Sequence, residues 1–150
     1  MNEDLKIMVE AIVYHVNDET PAFLLLKRSD DDGGFWQPVT GSVEPNETVL
    51  QALKREVYEE TGIDELKSIT DEIFQFTWQK DDQIRQEKVY GVLVDQGTIK
   101  LSHEHSTYRW YQFNEAIELL RHEDNREAFR NLMRTLESKN IGAGLQQELV

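Results

Sequence analysis

GSVEPNETVLQALKREVYEETGI, running from Gly41 to Ile63, is the stretch on which the reading of this chain turns. Its second half, Thr48 to Thr61, is built mostly of good helix formers and stops at Gly62, a residue suited to the left-handed position just past a helix end. The pattern predicts a helix over 48–61. On that helix Glu56, Glu59 and Glu60 stand at i, i+3 and i+4, so their carboxylates share one face. Three anions held so close repel, and clustered carboxylate oxygens are the ligands that Mg2+ or Mn2+ prefers. Arg55 lies four residues before Glu59 and is placed to hold that carboxylate in one rotamer. On the opposite side, Val49, Leu50, Leu53 and Val57 make an apolar stripe to anchor the helix to a core.

Glutamate-rich helix faces are common, and most are simply solvated. Here the helix is preceded by Gly41 and Glu47 and followed by Gly62 and Ile63 at set distances. Seven fixed residues would coincide in a chain of this length on the order of once in a million. The segment resembles the Nudix box, Gly-x5-Glu-x7-Arg-Glu-apolar-x-Glu-Glu-x-Gly-apolar, at every specified position. The resemblance implies a loop-helix-loop that holds Mg2+ or Mn2+ against the diphosphate of a nucleoside diphosphate derivative, and hydrolysis of a phosphoanhydride bond. It implies Glu56, Glu59 and Glu60 as metal ligands and Arg55 as their orienting partner. Thr40, just before the box, would offer a backbone carbonyl to the metal, and Glu47 would help close the site.

The chemistry suits these residue types. A triphosphate brings several negative charges beside the water that must attack phosphorus, so metal ions screen the charge and lower the pKa of that water. A carboxylate then accepts the proton. Glu59, Glu47 and the distant Glu104 are all candidates, with Glu59 favoured.

Outside the box, Phe35 to Glu44 departs from the family's commoner Pro-Gly-Gly entry by carrying Val39-Thr40-Gly41. Together with Leu101 to Trp110 and Asn125 to Ala128, it resembles the branch that acts on dihydroneopterin triphosphate and dATP. That likeness implies that Glu104 reaches the metals, the alternative being an exposed loop acid. It also implies that Lys6 on the first strand and Arg28 at the end of the second contact the substrate, where they would give charge-assisted hydrogen bonds to phosphate. Ser29 stands where the branch tends to have a second basic residue, and the loop to Trp36 is longer, so the exact substrate stays open. Trp36 reads either as a stacking surface for a pterin or purine or as a core anchor. His103 and His105 read as solvent-exposed loop histidines, ahead of a role as donors near the phosphates.

At 150 residues and 39% hydrophobic, the chain suits one domain spanning 1–150, with no repeat or linker to divide it. The acidic start lacks the basic and apolar run of a signal peptide, and no stretch approaches the roughly 20 apolar residues of a membrane span. A cytoplasmic protein is expected, which the absence of cysteine permits. Net charge −13 argues against long nucleic acid as a partner. A small polyanionic substrate remains compatible, because bound metal and local cations would offset its charge. Oligomeric state is not legible.

Lys6–Val16 and Ala22–Lys27 read as strands joined by a turn over 17–21, and Asp30–Gly34 as a polar loop. Ile73–Gln79 and Lys88–Val94 read as strands flanking a charged segment, Lys80–Gln86, and Thr107–Gln112 as another strand. Asn114 would cap a helix carrying Ala116, Ile117, Leu119 and Leu120. Asp124 or Asn125 would start a last one carrying Ala128, Phe129, Leu132, Met133 and Leu136, and the tail over 140–150 is read as mobile. The expected fold is an α/β/α sandwich with a mixed sheet, which the resemblance also implies. The expected activity is Mg2+-dependent conversion of a (deoxy)nucleoside or dihydroneopterin triphosphate to the monophosphate and pyrophosphate. Alternatives are hydrolysis of a dinucleoside polyphosphate or nucleotide sugar, and a non-catalytic nucleotide-binding regulator. Such a regulator would be expected to have lost acids from the box, and none is lost.

Overall fold

The computed structural model describes residues 5–149 apart from 96 and 98, with the side chains of 32 and 139–149 outside the described set. The expectation for the tail over 140–150 therefore lies outside the described side chains. Eight strands form one mixed sheet. β1 (Leu5–Asn17) is central, paired antiparallel with β2 (Thr20–Arg28) and parallel with β7 (Gln83–Leu93). β3 (Trp36–Gln37) and β8 (His105–Tyr111) add to β2, β4 (Val39–Ser42) adds to β1, and β5 (Ser68–Ile69) and β6 (Phe74–Lys80) add to β7.

The two faces of β1 sort the layers, because successive side chains on a strand point to opposite sides. Val9, Ala11 and Val13 are buried with Ala52, Leu53 and Val57 of α1 (Val49–Thr61). Ile12 and Tyr14 are buried with Ala116 of α2 (Phe113–Leu119) and with Ala128, Phe129 and Leu132 of α3 (Glu123–Leu149). The result is the expected α/β/α sandwich. Burying residues such as Leu53 and Phe129 fully contributes on the order of 2 kcal/mol each.

Both hairpin turns are tighter than the sequence suggested. Asp18-Glu19 and Asp81-Asp82 take positive φ at both positions, the two-residue turn whose twist matches the flanking strands. Most of the charged Lys80–Gln86 segment is therefore strand, not loop. Its charged residues tolerate the sheet because much of that end of β7 is not buried. β4 was not expected as a strand, since Val39-Thr40-Gly41-Ser42 has little strand character of its own and forms by pairing with Met8–Ala11. The second helix is capped by Gln112 in a reciprocal box with Glu115, not by Asn114, which lies inside it.

Candidate active site

α1 is fixed at both ends by local chemistry. Thr48 accepts the N–H of Gln51 while the Gln51 side chain accepts the N–H of Thr48, and Gly62 closes the helix in the left-handed region at φ 78°. The face it presents to the core differs from the expectation. Glu56 and Glu60 are themselves buried, on the same side as Ala52, Leu53 and Val57, while Leu50 is 46% exposed. The acids thus continue the buried stripe instead of opposing it, which sets them against the sheet. Gly41 on β4 permits this approach, because a methyl group there would overlap the Glu56 carboxyl.

Arg55 is the centre of the acidic cluster. Its Nε and Nη2 donate to the two Glu47 oxygens at 2.7 and 3.0 Å, its Nη1 donates to Glu56 at 2.7 Å, and Nη2 also donates to the Ser42 carbonyl at 2.8 Å. The expected i,i+4 contact with Glu59 is the longest of these, at 3.4 Å. Arg55 therefore orients Glu47 and Glu56 first, and Glu59 is half exposed with a loose hold. The hydrogen bonds from Arg55, with one from the Glu44 backbone N–H, bring the Glu47 carboxyl down to about 2. Burial pushes the Glu56 carboxyl up, against the pull of Arg55.

Glu60 is held by the loop that follows residue 100. His105 Nδ1 lies 2.8 Å from Glu60 Oε2, and Ser102 Oγ donates to the same oxygen at 3.0 Å. Burial raises this carboxyl, but His105, Ser102 and the Arg28 charge outweigh it and leave it below its usual value. His105 is buried, not exposed as the sequence suggested, and its Nε2 meets the Gln37 amide at 3.0 Å. No spacing rule pointed to the contact of His105 with Glu60, since it joins residues 45 apart in sequence across the tertiary fold. Glu104 lies between these two anchors, half exposed, with an oxygen 3.9 Å from Arg28.

A cavity of about 580 Å³ lies beside β1 and β4, with no α1 carboxylate in its lining. Thr40 and Arg28 line it towards the box, and Phe35, Trp36, Phe76 and Trp78 supply aromatic walls. Trp36 lines the cavity, and its ring also packs edge-on to Tyr111 with centroids 5.4 Å apart. Lys6 stands on β1 opposite Arg85 of β7, outside the cavity lining. The sequence reading did not identify Glu10 and Glu87, which are both buried and line the same cavity. Burial raises both carboxyls, and each is adjacent to the other. The available signal was Glu10 itself, a charge inside the otherwise apolar run Ile7–Tyr14.

The NUDIX domain matches residues 6–132. The chain belongs to the Nudix family. It is 33% identical over 129 residues to the pig (Sus scrofa) bis(5'-nucleosyl)-tetraphosphatase (asymmetrical), covering 80% of this chain and 84% of that protein. It is 30% identical over 135 residues to the dihydroneopterin triphosphate diphosphatase of Haemophilus influenzae, covering 81% of this chain and 84% of that one. The solved E. coli dihydroneopterin triphosphate pyrophosphohydrolase superposes with a TM-score of 0.71 at 28% identity, covering 82% of this chain and 91% of that structure. As a Nudix hydrolase the chain acts on phosphoanhydride bonds of nucleotide derivatives. No helix among the described residues is long and apolar enough to cross a membrane.

Nudix hydrolases generally use divalent metals, and the donor set here fits one. Glu47, Glu56 and Glu59 are gathered around a single guanidinium, all offering the hard oxygens that Mg2+ and Mn2+ favour. Among the described residues no three such side chains are already arranged to hold a metal ion; Glu47, Glu56 and Glu59 face Arg55, and Glu60 faces His105 and Ser102.

Proposed function

We propose that this Nudix hydrolase is a Mg2+- or Mn2+-dependent pyrophosphohydrolase that converts a (deoxy)nucleoside or dihydroneopterin triphosphate to the monophosphate and pyrophosphate. The observation that carries the reading is a cavity with aromatic walls, wide enough for a base or pterin ring, that is joined to the box by two of its lining residues: Thr40, next to the Gly41 that meets Glu56, and Arg28, whose charge acts on Glu60. Glu56, Glu59 and Glu60 would hold the metal, with the Thr40 carbonyl and Glu104 as further ligands. When bound, the metal would neutralise phosphate charge and lower the pKa of the attacking water.

The chain's own residues divide the remaining work. Arg55 fixes Glu47 and Glu56, and Ser102 and His105 fix Glu60, so these acids are set before substrate arrives. Glu59 is the proton acceptor of choice. It is held only loosely by Arg55, whereas Glu47 at about 2 has too little proton affinity to serve near neutral pH. Arg28, on the cavity wall, would meet phosphate oxygens with charge-assisted hydrogen bonds. Lys6, near the start of β1 and opposite Arg85, would add a supporting charge.

A second reading, asymmetrical cleavage of a dinucleoside tetraphosphate, is favoured by the 33% identity to the pig enzyme. Product analysis on a substrate panel separates the two. Pyrophosphate from triphosphates, with little turnover of the dinucleoside compound, is the expected result. Preferential release of a nucleoside triphosphate and monophosphate from the dinucleoside tetraphosphate would replace it.

A further inference from the structure

The aromatic cavity has a floor of an unusual kind. Glu10 is fully buried on β1, and Glu87 is 5% exposed on the neighbouring β7. No arginine or lysine bonds either one among the described residues, in contrast to the box acids. Glu10 Oε1 accepts from Asn125 Nδ2 at 2.7 Å, and Glu87 Oε1 accepts from Trp78 Nε1 at 3.0 Å. Glu10 Oε2 is buried with no N–H donor reaching it among the described residues, and the Glu10 and Glu87 carboxyls hydrogen-bond each other. Two carboxyl groups offer up to about eight lone-pair sites, and two N–H donors with the bond between the acids meet only some of them, so this floor has room for further N–H donors. A buried polar atom without a partner costs on folding, and such a group commonly waits for a ligand.

The walls restrict what that ligand is. Phe76 and Trp78 share one face of β6, and Trp36 and Phe35 belong to the segment after β2, so a flat ring is enclosed by aromatic surfaces. Asn125 and Trp78 are themselves donors, already spent on the acids. We propose that Glu10 and Glu87 read the base of the substrate, selecting a ring that presents adjacent N–H donors: the 2-amino-4-oxo pyrimidine edge, with its ring N–H beside an exocyclic amine. Guanine and pterin share that edge. Adenine does not, because its ring nitrogen beside the amine is an acceptor and would face the oxygen of an ionised carboxylate, the form that two N–H donors favour. This assignment deepens the proposed function and rests on it for the position of the phosphates, which would run from the floor towards Arg28 and Thr40.

The test has two arms so that failure of either reading can be told apart. In the first, metal-free protein is titrated with GMP, IMP and AMP and binding is followed by tryptophan fluorescence and calorimetry. GMP is expected to bind at least about tenfold tighter than AMP, with IMP, which has the ring N–H and not the amine, in between. In the second, kcat/KM with Mg2+ is compared for dihydroneopterin triphosphate, dGTP and dATP. The first two are expected to exceed dATP by at least about thirtyfold, and whichever of them leads by more than tenfold names the source of the ring. Glu10→Gln and Glu87→Gln, both close in shape to the parent residues, are expected to bring the guanine-to-adenine binding ratio below about threefold. Selective GMP binding without any triphosphate turnover would uphold this assignment and sink the proposed reaction. Equal binding of GMP and AMP, or a preference for AMP, would overturn the assignment even if triphosphates are hydrolysed.

Discussion

Two sets of glutamates, one around α1 and one lining the cavity on the sheet, are stabilised in opposite ways. Around α1, Glu47, Glu56 and Glu59 surround the Arg55 guanidinium, which offsets part of their charge and holds Glu47 at about 2. On the sheet, Glu10 and Glu87 lie in the interior with amide and indole donors for company, and burial raises both. The same side chain thus serves two tasks according to its partners. A carboxylate bonded to a cation, as Glu47 is, is favoured in its ionised form, whereas the buried Glu10 and Glu87, bonded by neutral donors, favour the protonated one.

The sharpest way to break the comparison is to remove charge from the α1 set. Glu56→Gln and Glu60→Gln are each expected to lower kcat by at least about a hundredfold, with the melting temperature changed little, because each removes an anion and retains the shape. Near-parent turnover in both variants would remove the α1 acids from the chemistry.

Next in size is Gly41→Ala. The added methyl must displace the Glu56 carboxyl, so a loss of about 1–3 kcal/mol in stability is expected together with weaker activity. Denaturant unfolding checks the first and steady-state kinetics the second. A variant as stable as the parent would mean that Glu56 does not sit against β4.

The smallest effects are differences in pH dependence, and they should have opposite signs at the two ends. Glu47 is depressed in the fold, so its stabilisation is fully present above an unfolded value of about 4.3 and is lost as pH falls through about 2. Glu47→Gln should therefore be less stable than the parent at neutral pH, and the gap should close on acidification. Glu87 is raised in the fold, so the native state holds its proton more tightly and the parent loses stability as pH rises above the unfolded value. Glu87→Gln should gain in melting temperature relative to the parent between about pH 5 and 8. Parallel pH profiles for the two variants would erase the distinction.

How much of this was legible in the sequence depended on whether a residue's role was set locally. The α1 helix, its Gly62 stop and the strands β1 and β2 follow from periodicity and turn residues, and the box acids follow from spacing along one helix. The orientation of α1 did not follow, because Glu56 and Glu60 look like solvent-facing residues until Gly41 makes room for one and Ser102 with His105 captures the other. β4 and the charged start of β7 exist through pairing with β1, which no local pattern encodes. The Glu10 and Glu87 pair was hidden for the same reason, since two residues 77 apart become neighbours only when β1 and β7 align in parallel.

The most direct test of the division between the two acid sets is a Mn2+ titration followed by electron paramagnetic resonance, run on the parent, Glu56→Gln and Glu87→Gln proteins. Binding by the parent, weakened at least about tenfold in Glu56→Gln and retained in Glu87→Gln, is the expected outcome. Equal loss in both variants, or a parent that binds no Mn2+, would contradict it.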